Sequence, residues 1–178
     1  MLDLSTLGRD LTTEQGFRRA PTHLWQPAVC GDIDIRIDPQ GQWFHEGDMI
    51  RRTGLVRLLA SILTFDGTDY WLITPVEKMR ILVEDLPFIV VELVDEAAGL
   101  KARTNVGEQI ALAEPWDLSP CFDGEWRPCI QLGQGLGARL SRNLYYDLVH
   151  QASASGIVEE QRLVWQSHGM KLPLGLVE

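Results

Sequence analysis

Apolar and polar positions alternate most regularly where Ile33, Ile35 and Ile37 are interleaved with Asp32, Asp34, Arg36 and Asp38. This is the two-residue period of a strand with one buried and one solvated face. Asp38-Pro39-Gln40-Gly41 then supplies turn chemistry, because proline presets a negative φ and glycine accepts a positive one. A second strand through Trp43 and Phe44 is expected to fold back on the first. The period then changes: Leu55, Leu58, Leu59, Ile62 and Leu63 recur at helical spacing. Thr53 is placed to cap that helix through its hydroxyl, and Arg57, Ser61 and Thr64 lie opposite the stripe. Cys30 to Leu63 thus reads as a hairpin and a helix, each with an apolar face to bury against the other.

Before this unit, residues up to about Leu24 read as a short helix or a loosely ordered arm, with Thr12 and Gln15 at capping-box spacing. Pro21 to Pro27, enclosing Trp25, reads as a lead-in whose indole packs over the hairpin. After the helix, Asp66-Gly67 marks a turn, and Tyr70 to Thr74 reads as a third strand ending at Pro75. Met79–Glu84, Phe88–Val94, Leu100–Thr104 and Gln109–Ala113 follow as β-prone runs with short links, a pattern of antiparallel meanders rather than βαβ crossovers. The nearly continuous apolar run Phe88–Val94 is the candidate central strand. Glu114–Pro120, with two prolines and a tryptophan, interrupts all periodicity and reads as a domain junction or surface connection.

The last third reruns the first. Asp123-Gly124-Glu125-Trp126 echoes Asp38 with Gly41-Gln42-Trp43, and Arg139-Leu140-Ser141 precedes a helix as Arg51-Arg52-Thr53 does. Leu144, Leu148 and Ala152, flanked by Tyr145 and Val149, form that helix's stripe, and Gln161–Gln166 supplies a following strand. The expected fold is α+β, mostly antiparallel, with a duplicated strand-strand-helix-strand unit. The expected units are an arm over 1–24, an α+β unit over 25–86 and a β-rich unit over 87–178. A cleft where the repeated units meet is the natural ligand site.

Charge and cysteine usage narrow the function classes. The 178 residues carry a formal charge of −9, which disfavours a duplex nucleic-acid partner whose affinity comes from neutralising phosphates. Cys30, Cys121 and Cys129 are odd in number and contain no CxxC pair, which suits a reducing cytoplasm. The opening MLDLSTLGRDL has no basic segment followed by a continuous apolar one, and no run approaches membrane-spanning length. The expected location is cytoplasmic, away from the membrane.

Candidate chemistry is sparse. Gly133-Gln134-Gly135-Leu136-Gly137-Ala138 formally satisfies a dinucleotide fingerprint, but too few residues follow for a doubly wound sheet, so a glycine-rich turn is the simpler reading. Asp32, Asp34 and Arg36 line one side of a strand and could hydrogen-bond a polar ligand or form a solvated face. Arg51, Arg52, Arg139 and Arg142 stand at the starts of the two helices, where guanidinium forks suit carboxylates or phosphates, including the chain's own acidic side chains. The four histidines are scattered and Cys/His zinc spacing is missing, so no metal is expected. Cys30 is expected to pack as a buried thiol, and Glu77, Glu84 and Asp85 are merely available carboxylates.

The ordered series CGDIDIRIDPQGQWFHEG, TGLVRLLASIL and YWLITPVEKMRILVEDLPFIVVEL, with WQPAVCGDID upstream and LKARTNVGEQIAL and ARLSRNLYYDLV downstream, resembles the bacterial domain-of-unknown-function family 1285. The likeness runs from about Trp25 to Gly169. It implies a duplicated α+β core whose C-terminal part is superficially like a pleckstrin-homology barrel. It also implies a role in signal transduction with a ligand, nucleotide-like, bound where the domains meet. The family supplies no catalytic residues. The candidate ligand-binding set is therefore taken from its motif segments: Asp32, Asp34, Arg36, Thr74, Glu77, Arg139 and Arg142. The expected function is non-catalytic ligand binding or regulation without a cofactor. The alternatives are a small enzyme acting on a phosphorylated or nucleotide substrate in the same cleft, and a protein-interaction module.

Overall fold

The alternating isoleucines form strand β1 (Val29–Ile37) in the computed structural model, which describes residues 16–176. Ile35 and Ile37 enter the core while Asp32 and Asp34 face solvent. At the following turn the Asp38 carboxylate accepts hydrogen bonds from the backbone N–H groups of Gln40 and Gln42, at 2.9 and 2.8 Å. The chain returns as β2 (Trp43–His45) and β3 (Asp48–Met49), then enters helix α1 (Thr53–Ser61). Leu58 and Leu59 are buried on the predicted face of α1.

Two expectations about α1 are corrected. Thr53 makes no side-chain cap, because it is already the first helical residue; the flanking carbonyl of Arg52 accepts from Leu55 and Val56 instead. Ser61 is buried rather than opposite the stripe, its hydroxyl satisfied by donating to the Leu58 carbonyl at 2.7 Å. The spacing of Thr12 and Gln15 lies outside the described residues. The chain before β1 includes a short 3-10 turn at Thr22–Leu24 and is tied to the end of α1 by the Ala20 N–H donating to the Ser61 carbonyl.

Strands β4 (Leu63–Phe65), β5 (Tyr70–Ile73) and β6 (Lys78–Val83) complete a first sheet of order β3-β2-β1-β6-β5-β4. Six more strands, β7 (Phe88–Glu96), β8 (Gly99–Thr104), β9 (Gln109–Ala111), β10 (Asp117–Pro120), β11 (Trp126–Gly133) and β12 (Leu136–Leu140), form a second sheet. Its order is β10-β11-β12-β7-β8-β9. In each sheet the first and last strands lie parallel at the centre, and antiparallel neighbours extend outward to both edges. This shared order is the duplication, and it matches β1–β6 with β7–β12; the expected match of the Asp38 hairpin and α1 with Asp123–Trp126 and the helix at Arg142–Ser155 is corrected, since that helix follows the second sheet instead of lying within it.

Helix α2 (Arg142–Ser155) then leads to a three-stranded antiparallel sheet of β13 (Val158–Glu159), β14 (Arg162–Ser167) and β15 (Met170–Leu176). α2 packs on this sheet and β15 packs on β11, so the curled second sheet acquires a helix and a covering layer. That is the source of its pleckstrin-homology-like outline. Ser141 caps α2, its hydroxyl accepting the Leu144 N–H at 3.3 Å.

β7 occupies the central position expected of Phe88–Val94. The expected meander begins one strand late, because Met79–Glu84 belongs to the first sheet as β6, parallel to β1. Glu114–Pro120 is no junction: Asp117–Pro120 pairs with β11, and the buried Trp116 donates its indole N–H to the Pro173 carbonyl at 2.7 Å. The fingerprint segment is the β11–β12 hairpin, with Gln134 and Gly135 at its turn and Gly133 and Gly137 on the paired strands. Residues 84–87 connect the two sheets, and we propose the unit boundary there. One continuous hydrophobic cluster includes Ile37 and Leu72, Phe88 and Leu136, and Leu172 and Leu174, drawn from all three sheets. Among the described residues, no helix is long and apolar enough to cross a membrane.

The hairpin turns expose a local weakness. Glu46-Gly47, Gln134-Gly135 and His168-Gly169 all place a glycine second in a pair of positive-φ residues, but the β13–β14 turn places Gln161 there at φ 61°. Glycine takes this second position of a type I′ turn without strain. Gln161→Gly is therefore expected to raise unfolding stability by about 0.5–1 kcal/mol in urea titrations.

Candidate functional site

An open groove of about 780 Å³ runs along the seam between the two sheets. Pro39 and Gln40, from the β1–β2 turn, and Asp85, from the connection between the sheets, contribute the first unit's side. The second unit contributes Ile89, the segment around Cys121–Pro128 and the pivot from β12 into α2, with Arg139, Arg142, Tyr145 and Tyr146.

Arg139 forms the floor. It lies within Leu136–Leu140, a strand buried at every position, so its charge requires an internal partner. Its Nε donates to Asp85 Oδ2 at 3.0 Å and its Nη2 to Asp85 Oδ1 at 2.9 Å. Nη2 also donates to the Pro120 carbonyl at 2.6 Å. Nη1 donates to Ser119 Oγ at 2.8 Å and to the Arg127 carbonyl at 3.1 Å. All five N–H groups are thereby engaged by the protein. Arg139 is expected from sequence to contact ligand; its geometry is that of a pin holding the connection against β10 and β11.

Arg142 differs. It is exposed, its guanidinium carbon lies 5.7 Å from the Tyr146 ring centre, and no ion pair engages it among the described residues. Tyr146 is 56% exposed and Phe122 59%. Arg127 is held by Asp123 at 2.8 Å and Glu125 at 3.3 Å. Burial pushes the Cys121 and Cys129 thiols up, with the Arg139 charge opposing it at both and a hydrogen bond to Ser119 opposing it more strongly at Cys129. Both cysteines are thus held as weakly nucleophilic thiols. The Tyr70 phenol is pushed up to about 12 by burial and then by the negative charge of Asp85.

The other expected site residues lie elsewhere. Asp32 accepts both Arg80 donors, at 2.7 and 3.0 Å, in a shallow depression on the first sheet, and these bonds hold its carboxyl below its usual range. Asp34 faces solvent on the same strand, where its carbonyl accepts the Glu46 N–H. Arg36 donates to Glu84 at 2.6 Å and lies 4.1 Å from the Phe44 ring centre. Thr74 is buried in the β5–β6 turn, where its hydroxyl accepts the N–H of Glu77 at 2.9 Å. The structure therefore brings Arg139 and Arg142 together in the groove and leaves Asp32, Asp34, Arg36, Thr74 and Glu77 outside it. The buried packing expected of the Cys30 side chain lies outside the described residues.

Phe122 and Tyr146 line the groove but are not among the residues expected from sequence. One signal was present: adjacent residues on a helix point about 100° apart, so Tyr145 and Tyr146 cannot both face the core.

The architecture defines a class: a duplicated α+β protein whose two six-stranded sheets meet at a pinned seam. Residues 20–86 match the N-terminal domain model, and residues 87–174 the C-terminal domain model, of the domain of unknown function DUF1285. The chain belongs to the DUF1285 family. The crystal structure of a DUF1285 family protein from Silicibacter pomeroyi DSS-3 is 33% identical, covers 96% of this chain and 93% of its own, and gives a TM-score of 0.77. Another from Shewanella baltica OS155 is 29% identical, covers 66% of this chain and 91% of its own, and gives 0.56. No curated protein matches.

Two outcomes follow from the seam chemistry. Arg139→Ala leaves Asp85 buried without a counter-charge, which is expected to remove roughly 3–5 kcal/mol of stability in denaturant titrations. At high pH, unfolded Tyr70 loses its proton near 10 while the folded phenol keeps it to about 12, so the folded state holds the extra proton in that window. Stability therefore falls as pH rises through it, and Tyr70→Phe is expected to flatten this alkaline decline in thermal unfolding.

Proposed function

We propose that this chain is a non-catalytic, cytoplasmic ligand-binding or regulatory protein of signal transduction that takes a small nucleotide-like molecule in the seam groove. The observation that carries this reading is the triplet Arg142, Tyr146 and Phe122: one guanidinium without a carboxylate partner among the described residues, and two rings more than half exposed along the same cavity. Flat rings stack on exposed aromatic faces, and an arginine fork recognises a carboxylate or phosphate. The groove carries three arginines against two carboxylates in a chain of net charge −9, so it is a local exception to the acidic character of the whole. Its volume also falls within the range of small-molecule sites.

Binding without turnover is favoured by the state of the wall. Arg139 and Asp85 are committed to each other, and the two thiols are held protonated by burial. These groups shape the groove more readily than they act as nucleophile or base.

A thermal-shift screen with nucleotides and aromatic carboxylates, followed by a turnover assay on each hit, tests the reading. A ligand at about 100 times its dissociation constant adds roughly 2.7 kcal/mol, a shift of several degrees. Saturable stabilisation without product is expected, with Arg142→Ala weakening it about tenfold or more while leaving the fold intact. No stabilisation by any ring-bearing anion would sink the proposal, and product formation would replace it with the enzyme reading.

A further inference from the structure

We infer that the groove selects its ligand by charge: it takes a flat ring bearing one negative charge and disfavours polyphosphates of the same ring. The inference rests on the groove reading above and specifies the ligand class. Cyclic phosphodiester nucleotides and aromatic carboxylates share this chemistry.

The selectivity follows from how the three groove arginines are partnered. Arg139 is neutralised by both oxygens of Asp85, and its remaining donors are taken by Ser119, Pro120 and Arg127. Arg127 is neutralised by Asp123 and Glu125, at 2.8 and 3.3 Å. Arg142 has only the Tyr146 ring beside it among the described residues. The cavity therefore offers one uncompensated positive charge next to exposed aromatic surface. A single anionic group on a ring can pair with Arg142 while the ring covers Tyr146 or Phe122.

Each further charge on the ligand would lack a partner. A phosphate monoester carries up to about two negative charges at neutral pH. The second would have to remain unpaired in the groove or draw Arg127 from its carboxylates. It would also meet the field of a chain with net charge −9. Selectivity thus comes from the absence, among the described residues, of a second free cation in the groove wall, as well as from the presence of the first.

Calorimetric titration of the full chain at fixed ionic strength with cyclic adenosine monophosphate, adenosine monophosphate, adenosine triphosphate and indole carboxylate tests this. The expected result is that cyclic adenosine monophosphate, indole carboxylate or both bind at least about tenfold more tightly than the triphosphate, with the monophosphate between. The tighter of the two singly charged probes identifies the ligand source. A double variant, Asp123→Asn with Glu125→Gln, alters two exposed carboxylates and frees Arg127. It is expected to shift the affinity ratio toward the monophosphate by about tenfold. Tightest binding by the triphosphate, or an unchanged ratio in a folded double variant, would overturn the charge inference while leaving the groove as the site. Failure of all four probes to bind folded wild type would overturn the groove reading and this inference together.

Discussion

The Arg139–Asp85 ion pair ties the connection between the two sheets to the buried interior of the second. Asp85 belongs to the connection between the sheets, and Arg139 lies 54 residues later on a fully buried strand. Burying two charges is costly, and the cost is offset only when every donor finds an acceptor. Here the carbonyls of Pro120 and Arg127 and the hydroxyl of Ser119 complete the set, so one guanidinium gathers β10, β11 and the connection at a single point. The same pair that fixes the seam forms the floor of the groove.

Close approaches around the pin restrict the seam further. Gly135 stands at φ +73°, and a side chain there would begin 3.1 Å from the carbonyl of Phe65 on the first sheet. At Gly41 the equivalent distances are 2.8 Å to Ile89 and 2.9 Å to Asn105 of the second sheet. The Asn105 amide also donates to the Gly41 carbonyl at 3.2 Å. On another side Arg19 donates to both oxygens of Glu108, at 2.8 and 2.6 Å, with its guanidinium 4.9 Å from the Phe88 ring centre. A groove walled by such a seam would ask little further ordering of the protein if occupied.

The fold was legible where one element carries its own pattern. Alternation placed β1, helical spacing placed α1 and α2, and the apolar run Phe88–Val94 marked β7 as central. Partner choice was not legible, because a hydrophobic pattern says which face is buried and not which strand lies alongside. The parallel pairs β1–β6 and β7–β12 join segments far apart in sequence. This also explains why Asp32, Asp34 and Arg36 looked like a recognition face: the charges that answer Asp32 and Arg36 are Arg80 and Glu84, 48 residues downstream. Arg139 was read as one of four arginines at helix starts and as a ligand contact, because its donors could be assigned only once Asp85 and the β10–β11 carbonyls had positions.

The short run Arg139-Leu140-Ser141-Arg142 fixes the backbone of Arg142, which has no ion-pair partner among the described residues, at the groove wall. Arg139 anchors the end of β12, and the Ser141 N–H donates to the Val90 carbonyl on β7 at 2.8 Å. The Ser141 hydroxyl meanwhile fixes the first turn of α2. Arg142 therefore begins from a backbone secured on both sides, with its remaining freedom in the side chain alone. An arginine on a mobile loop would spend part of its interaction on becoming ordered; one held at this pivot spends less. Arg139 thus bears on the proposed recognition through position, because its buried pair sets where Arg142 begins.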